Sequence, residues 1–324
     1  MKDPRSQLLL GLLSLSFFCL SACSAGIVNA GAASAGSGPS GSGSGGSGSG
    51  SSGSGSTGSG STGSSSSGSG SGSGSTGSSS GSGGSGSGSS GSGSNGSGPV
   101  VPSNAVSVSG IQSLNGWINV DDPGTDGSAN GAMAMVGSPS LSGNALEFDT
   151  TYTYYGGELY YVSFGNDTAS SNFVYDGWVY LDDSSRSIAN LEMDMNQVMP
   201  NGETVIFGFQ CDGWNETWDY TENTGTPIAP IDHWVNSSAA CNPRTWAQNT
   251  WHHVQVGYSR DDEGDVTYQS VWLDGNEQQI NATVPSAFAL GWAPTLLTNF
   301  QVDSNAPGAS SSTVYLDNLT ISRW

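Results

Sequence analysis

Basic side chains are almost missing from this chain. Its 324 residues hold six Lys and Arg against 27 Asp and Glu, a formal charge of -21. Lys2 and Arg5 lie at the amino end, so Arg186, Arg244, Arg260 and Arg323 serve everything else. Such a surface excludes nucleic acid, whose phosphates need cationic side chains to displace counterions. It also argues against electrostatic docking on anionic lipid or strongly acidic polysaccharide. Neutral ligands or cations remain. No convincing amphipathic helix can be traced, and residues 103–324 contain no Gly-x-Ser-x-Gly and no His-Glu-x-x-His. The glycine-rich tract has no lysine with which to hold a phosphate. Serine-hydrolase, zinc-peptidase and nucleotide chemistry with those signatures are therefore absent. No organic cofactor is implied.

The first 102 residues cannot build a core. Lys2 and Arg5 precede an apolar run, 8–20, that is too short to span a bilayer comfortably. It ends in Leu20-Ser21-Ala22-Cys23. That ending resembles the lipobox of bacterial lipoproteins, which implies a signal peptide over 1–23, cleavage before Cys23 and acylation of Cys23. Acyl chains on Cys23 would anchor the protein stably to a membrane, since each buried CH₂ contributes about 0.8 kcal/mol. The implied location is a bacterial cell envelope, at the outer membrane if the cell is Gram-negative. Residues 24–102 follow as a linker, almost wholly Gly and Ser from 35 to 98. Nothing in it can bury apolar area, so it reads as disordered. A Gly-rich coil of about 64 residues spans about 40–50 Å on average.

Residues 103–324 have the composition of one domain and contain all 10 Trp residues. Short runs rich in Val, Tyr, Trp and Phe alternate with Gly, Asn, Asp and Pro. They predict strands over 106–109, 132–136, 145–148, 158–164, 173–181, 190–196, 204–210, 251–258, 266–273, 296–302 and 313–321. That many strands in one domain means an all-β fold, an antiparallel two-sheet sandwich or jelly roll. Cys211 and Cys241 are the only cysteines beyond the leader. An even pair in an exported chain predicts a disulfide. The segment between them carries Trp214, Trp218, Tyr220, His233 and Trp234 among turn residues, and reads as a stapled aromatic loop. With Trp178, these rings are candidates to stack on pyranose rings.

The stretch that organises the domain is Leu191-Glu192-Met193-Asp194-Met195-Asn196-Gln197. Its alternation is that of a half-buried strand, with Glu192, Asp194 and Asn196 on one face. Two acids and an amide on one face are costly unless that face is solvated or lines a cleft. His252 and His253 are adjacent on a strand, so they face opposite ways and favour sheet packing over a shared metal. The turns at 121–127 and 261–265 are rich in carboxylates without EF-hand spacing, and acidic surface turns are the default reading.

Trp251-His252-His253-Val254-Gln255-Val256-Gly257-Tyr258, then Val271-Trp272-Leu273-Asp274-Gly275, resembles paired strands of concanavalin A-like lectin/glucanase domains. The closing Val314-Tyr315-Leu316-Asp317-Asn318-Leu319-Thr320-Ile321 is similar to their last strand. The resemblance covers 106–324 and implies a carbohydrate-binding jelly roll. It also allows a structural Ca²⁺ near the last strand, with Asp317 as its candidate ligand. Retaining glucanases of this fold carry Glu-x-Asp-x-Glu on one strand. Glu192 and Asp194 match the nucleophile and the assisting Asp, and Asn196 stands where the acid/base Glu belongs. An amide cannot protonate a leaving oxygen or deprotonate water. The resemblance therefore implies a cleft that binds a neutral polysaccharide without efficient catalysis. Two alternatives stay open: a glycoside hydrolase whose acid is Glu203, Glu216 or Asp219, and a structural envelope or adhesion protein.

Overall fold

The computed structural model describes residues 98–324. Cys23, the expected signal peptide and the Gly/Ser tract up to residue 97 lie outside the described residues. Seventeen strands, numbered along the chain, form two antiparallel sheets. In the eight-stranded sheet the order is β14 (Asn276–Pro285), β13 (Asp265–Leu273), β12 (Thr250–Arg260), β6 (Asn172–Leu181), β17 (Ser310–Arg323), β4 (Ala145–Tyr152) and β3 (Ala129–Val136). β1 (Val106–Ser109) pairs with β17 at its side. The nine-stranded sheet runs β11 (Asp232–Ala240), β10 (Thr217–Asn223), β9 (Phe209–Asp212), β7 (Ile188–Val198), β16 (Leu296–Ser304), β5 (Gly157–Gly165) and β2 (Ile118–Asp121). β8 (Thr204–Phe207) joins it by pairing with β7 and with β15 (Ala287–Phe288).

The period-two patterns explain this arrangement. Leu191, Met193 and Met195 of β7 are fully buried, facing the interior together with Phe300 of β16 and Tyr160 of β5. From the other sheet come Phe148, Val179, Leu181, Val254, Val256, Leu316 and Ile321. Phe148 stacks on Phe300 across the interior, with centroids 5.0 Å apart. All the strands expected from the sequence are present. The run 204–210 is split at Gly208, whose Cα faces the Thr221 side chain too closely for a Cβ.

Cys211 and Cys241 form the expected disulfide, with Cα atoms 5.3 Å apart. The segment between them is not a loop, however. It is the β10–β11 hairpin, and Trp218 at 0% exposure lies in the core, stacked on Phe209 at 5.2 Å. Tyr220 packs inward on Tyr268 at 4.9 Å. The reason lies in the local pattern Trp218-Asp219-Tyr220-Thr221, which alternates apolar and polar residues like any half-buried strand. Neither ring is free to stack on a ligand.

Candidate functional site

The face of the nine-stranded sheet that points away from the core carries the organising residues. Glu192, Asp194 and Asn196 of β7 lie on it, opposite Leu191, Met193 and Met195. Register across six strands builds a row that is polar from β16 to β11. Leu159 of β5 faces Gln301 of β16, which faces Glu192, then Gln210 of β9, Asp219 of β10 and Asn236 of β11. A second row sets Tyr161, Asn299 and Asp194 side by side. A third brings Asp303, Asn190, Asp212 and Thr217 together. Trp234 of β11 flanks this face beside Thr221.

Hydrogen bonds hold the acids in place. The Gln301 amide nitrogen donates to Glu192 Oε1 at 2.9 Å, to Asp122 Oδ2 at 3.1 Å and to Asp303 Oδ1 at 3.1 Å. An amide has two hydrogens, so three ionised carboxylates cannot all be served. Burial pushes Glu192 well above the usual carboxylate range, and the charges of Asp194, Asp303, Asp122 and Asp232 push it further. Burial and Asp122 do the same to Asp303. Burial raises Asp194 to about 7 even though the Phe209 N–H, 2.8 Å from its Oδ1, pulls it down. Asp219 and Asp232 are also pushed up to about 7, in each case first by burial.

A carboxyl group that keeps its proton both donates and accepts. Acids held above their ordinary range carry less charge than free carboxylates at the same pH, so this face offers donors as well as acceptors to hydroxyl groups. The Asn196 carboxamide oxygen is buried there and has no hydrogen-bond partner. Raising the proton affinity of Glu192 lowers the share of it present as the carboxylate nucleophile, which adds to the obstacle that Asn196 sets to retaining chemistry. Of the other acids considered, Glu203 lies beside Thr204 at the far end of β7, about 20 Å along the strand from Glu192. Glu216 sits in the turn before β10, bonded to Asn242 at 3.1 Å. Only Asp219 of these three shares the face.

One end of the face has an aromatic rim that the sequence pattern did not reveal. Tyr154 and Trp214 are 51% and 53% exposed, and Tyr155 lies between them, with centroids 4.6 and 5.7 Å away. Tyr155 takes the left-handed conformation, φ 57°, and its N–H donates to Ala306 O at 2.9 Å. Asp212 fixes Trp214 by accepting its N–H at 2.6 Å. Backbone bonds from Gly213 to Ala189 and from Ser304 to Gly156 place both loops at the Asn190 end of β7. At the Asn196 end, the tip of the β10–β11 hairpin exposes Ile228 and Ile231. Gln301 and Asp303 alternate with Val302 in the sequence, a signal that could have marked β16 as part of the site.

Other candidates fall elsewhere. Trp178 is on the outer face of the eight-stranded sheet, stacked on His253 at 4.3 Å, because it occupies an outward position of β6. The histidines do face opposite ways. His252 is bonded to Asp274 at 2.8 Å and His253 to Asp176 at 2.7 Å. Asp317 does not fit a Ca²⁺ site. Its Oδ1 accepts from Gln112, Ser142 and the Asn318 N–H, and its Oδ2 from Ser140 and the N–H groups of Leu141 and Ser142. Both oxygens are saturated with donors, so Asp317 ties the 140–144 loop to β17. A cleft of about 430 Å³ beside the disulfide is lined by Glu216, Trp246, His252 and Asp274, off the Glu192 face.

The sequence matches no protein-family model, and no curated protein matches it. Among solved structures it is similar to a carbohydrate-binding module of the β-sandwich superfamily, at 13% identity and a TM-score of 0.33, over 64% of this chain and 57% of that one. It is also similar to the module CBM66 from Bacillus subtilis, at 12% identity and 0.32, over 64% and 96% of the two chains. Arcelin-5, a lectin-like defense protein from Phaseolus vulgaris, matches at 11% and 0.39, over 68% and 98%. The chain thus spans little more than half of the first of these. None of these likenesses carries an argument about what the chain binds.

Proposed function

We propose that the outer face of the nine-stranded sheet binds a neutral polysaccharide and does not cut it efficiently. The observation that supports this most is the meeting of two features. Exposed rings of Tyr154 and Trp214 stand at one end of a sheet face whose acids and amides can donate and accept together. Rings offer a π-face to the apolar C–H face of a pyranose, and the polar rows answer its hydroxyls. Hydrolysis is the second reading, favoured by Asp219 alone. It stands two strands from Glu192, about 10 Å between backbones, a spacing nearer to an inverting pair than to a retaining one.

The test is titration of mixed-linkage β-1,3/1,4-glucan oligosaccharides. Saturable binding without new reducing ends is expected, and Trp214→Ala should weaken it about tenfold, the equivalent of about 1.4 kcal/mol. Reducing ends that appear with inverted configuration and vanish in Glu192→Gln would favour the hydrolase. We also propose that Cys23 carries the lipid anchor, on the strength of Leu20-Ser21-Ala22-Cys23. Expressed in a bacterium, the protein should partition with membranes, and Cys23→Ser should release it or leave it unprocessed. Equal partitioning of both forms would remove the anchor.

A further inference from the structure

The outer face of the eight-stranded sheet is the less expected surface. Where a sheet faces water its outward positions are ordinarily polar. Here the register lines up aromatic residues instead. Tyr180 of β6 is the cross-strand partner of both Tyr315 of β17 and Trp251 of β12. Their ring centroids lie 5.4 and 5.3 Å apart. One step along the strands, Trp178 pairs with His253, and their rings stack within 4° of parallel. One step further, Asp176 pairs with Gln255, which faces Trp272 of β13. The core needs none of these rings, because the inward positions of the same strands are filled by Val179, Leu181, Val254, Val256, Val314 and Leu316. Trp178, Tyr180, Trp251 and His253 all keep part of their surface in solvent.

A polar network borders the rings. Asp176 accepts from His253 at 2.7 Å and from Gln255 at 2.7 Å. Glu147 of β4 is the cross-strand partner of Tyr315 on the other side. This acidic border repels a polyanion. The surface suits a ligand that is uncharged, offers flat apolar faces and carries hydroxyl groups.

We propose that this face is a second binding site for a neutral polysaccharide, so that one domain holds two glycan chains, one on each sheet. Gly98 packs against the Gln255 side chain and Pro99 lies beside Gly257, so residues 98–99 cover the Gln255 end of this face and leave the rings of Trp178, Tyr180 and Trp251 in contact with solvent. Two sites on opposite sheets make the domain a cross-linker whose avidity exceeds either single affinity. The bivalence rests on the glycan reading of the Glu192 face, whereas the second site does not.

The experiment uses the full chain with mixed-linkage β-1,3/1,4-glucan polymer and with its oligosaccharides. Polymer mixtures should scatter light as chains are bridged. Trp178→Ala and Trp251→Ala should each abolish the scattering while saturable oligosaccharide binding persists at the Trp214 end. Oxidative footprinting of the unmodified protein gives a readout that needs no variant to fold. Glucan should protect Trp178 and Trp251, as well as Trp214, at least about threefold. Loss of all binding in Trp214→Ala, with Trp178 and Trp251 oxidised equally with and without glucan, overturns the second site and leaves the first intact. Protection confined to Trp178 and Trp251 upholds the second site and removes the first. No protection of any of the three overturns both.

Discussion

Raising the pH from 5 to 8 is expected to cost the domain at least about 2 kcal/mol and to lower its Tm by about 4–8 °C. The acids on the Glu192 face set the sign. Asp194, Asp219 and Asp232 are pushed up to about 7, and Glu192 and Asp303 lie further above their ordinary values. In the unfolded chain the same groups release their protons near pH 4. Between about 4 and 7 the folded state binds more protons than the unfolded one, so stability falls as pH rises. Below that window the slope reverses. Burial pushes Asp167 up, but the Ser170 and Ala169 N–H groups and Arg323 outweigh it and hold the carboxyl below its ordinary value. The donors on Asp317 likewise outweigh its burial. Both contribute stability that is lost in acid, which places the optimum near pH 4–5. Thermal melts at pH 4.5, 6 and 8 measure this directly. A Tm that holds level or rises between 5 and 8 would show that the face releases its protons without penalty.

Replacing Cys211 and Cys241 by Ser is expected to remove about 3–4 kcal/mol, the chain-entropy value for a loop of this length, with a Tm lower by about 6–15 °C. The bridge spans 30 residues and closes the β10–β11 hairpin onto β9. Trp218 and Trp246 pack in the same core cluster, with ring centroids 6.4 Å apart, so loosening the hairpin also loosens the interior. The hairpin supplies Asp219 and Trp234 to the candidate face, so glycan affinity should fall with stability. Unchanged melting with and without reductant would mean that packing alone holds the hairpin.

Period-two alternation made most of the sandwich readable, and it correctly set Glu192, Asp194 and Asn196 on one face. It failed where a strand is polar at most positions or where aromatics mask the pattern. β14, reading Asn-Glu-Gln-Gln-Ile-Asn-Ala-Thr-Val-Pro, is an edge strand whose inner face is only half-buried, with Ile280 and Val284 against the core and polar residues at most other positions, so its alternation is weak. In β10 the pair Trp218 and Tyr220 looked like ligand platforms because Trp in a Gly- and Asn-rich stretch suggests a loop. The alternating Asp219 and Thr221 were the better guide. The Gln301 junction was not readable, because it depends on β16 lying against β7 more than 100 residues away in the chain. Nor was the meeting of Tyr155 with Trp214, which tertiary packing alone brings about. Asp317 was placed as a metal ligand by resemblance, and the six donors around it come from three separate segments.

The most direct measurement is a crystal structure of the domain soaked with a mixed-linkage β-glucan hexasaccharide. The account predicts an intact sugar chain along β7, with one ring against Trp214 and hydroxyls bonded to Glu192, Asp194 and Gln301. A soaked crystal with that face empty, or with cleaved sugar between Glu192 and Asp219, would contradict it.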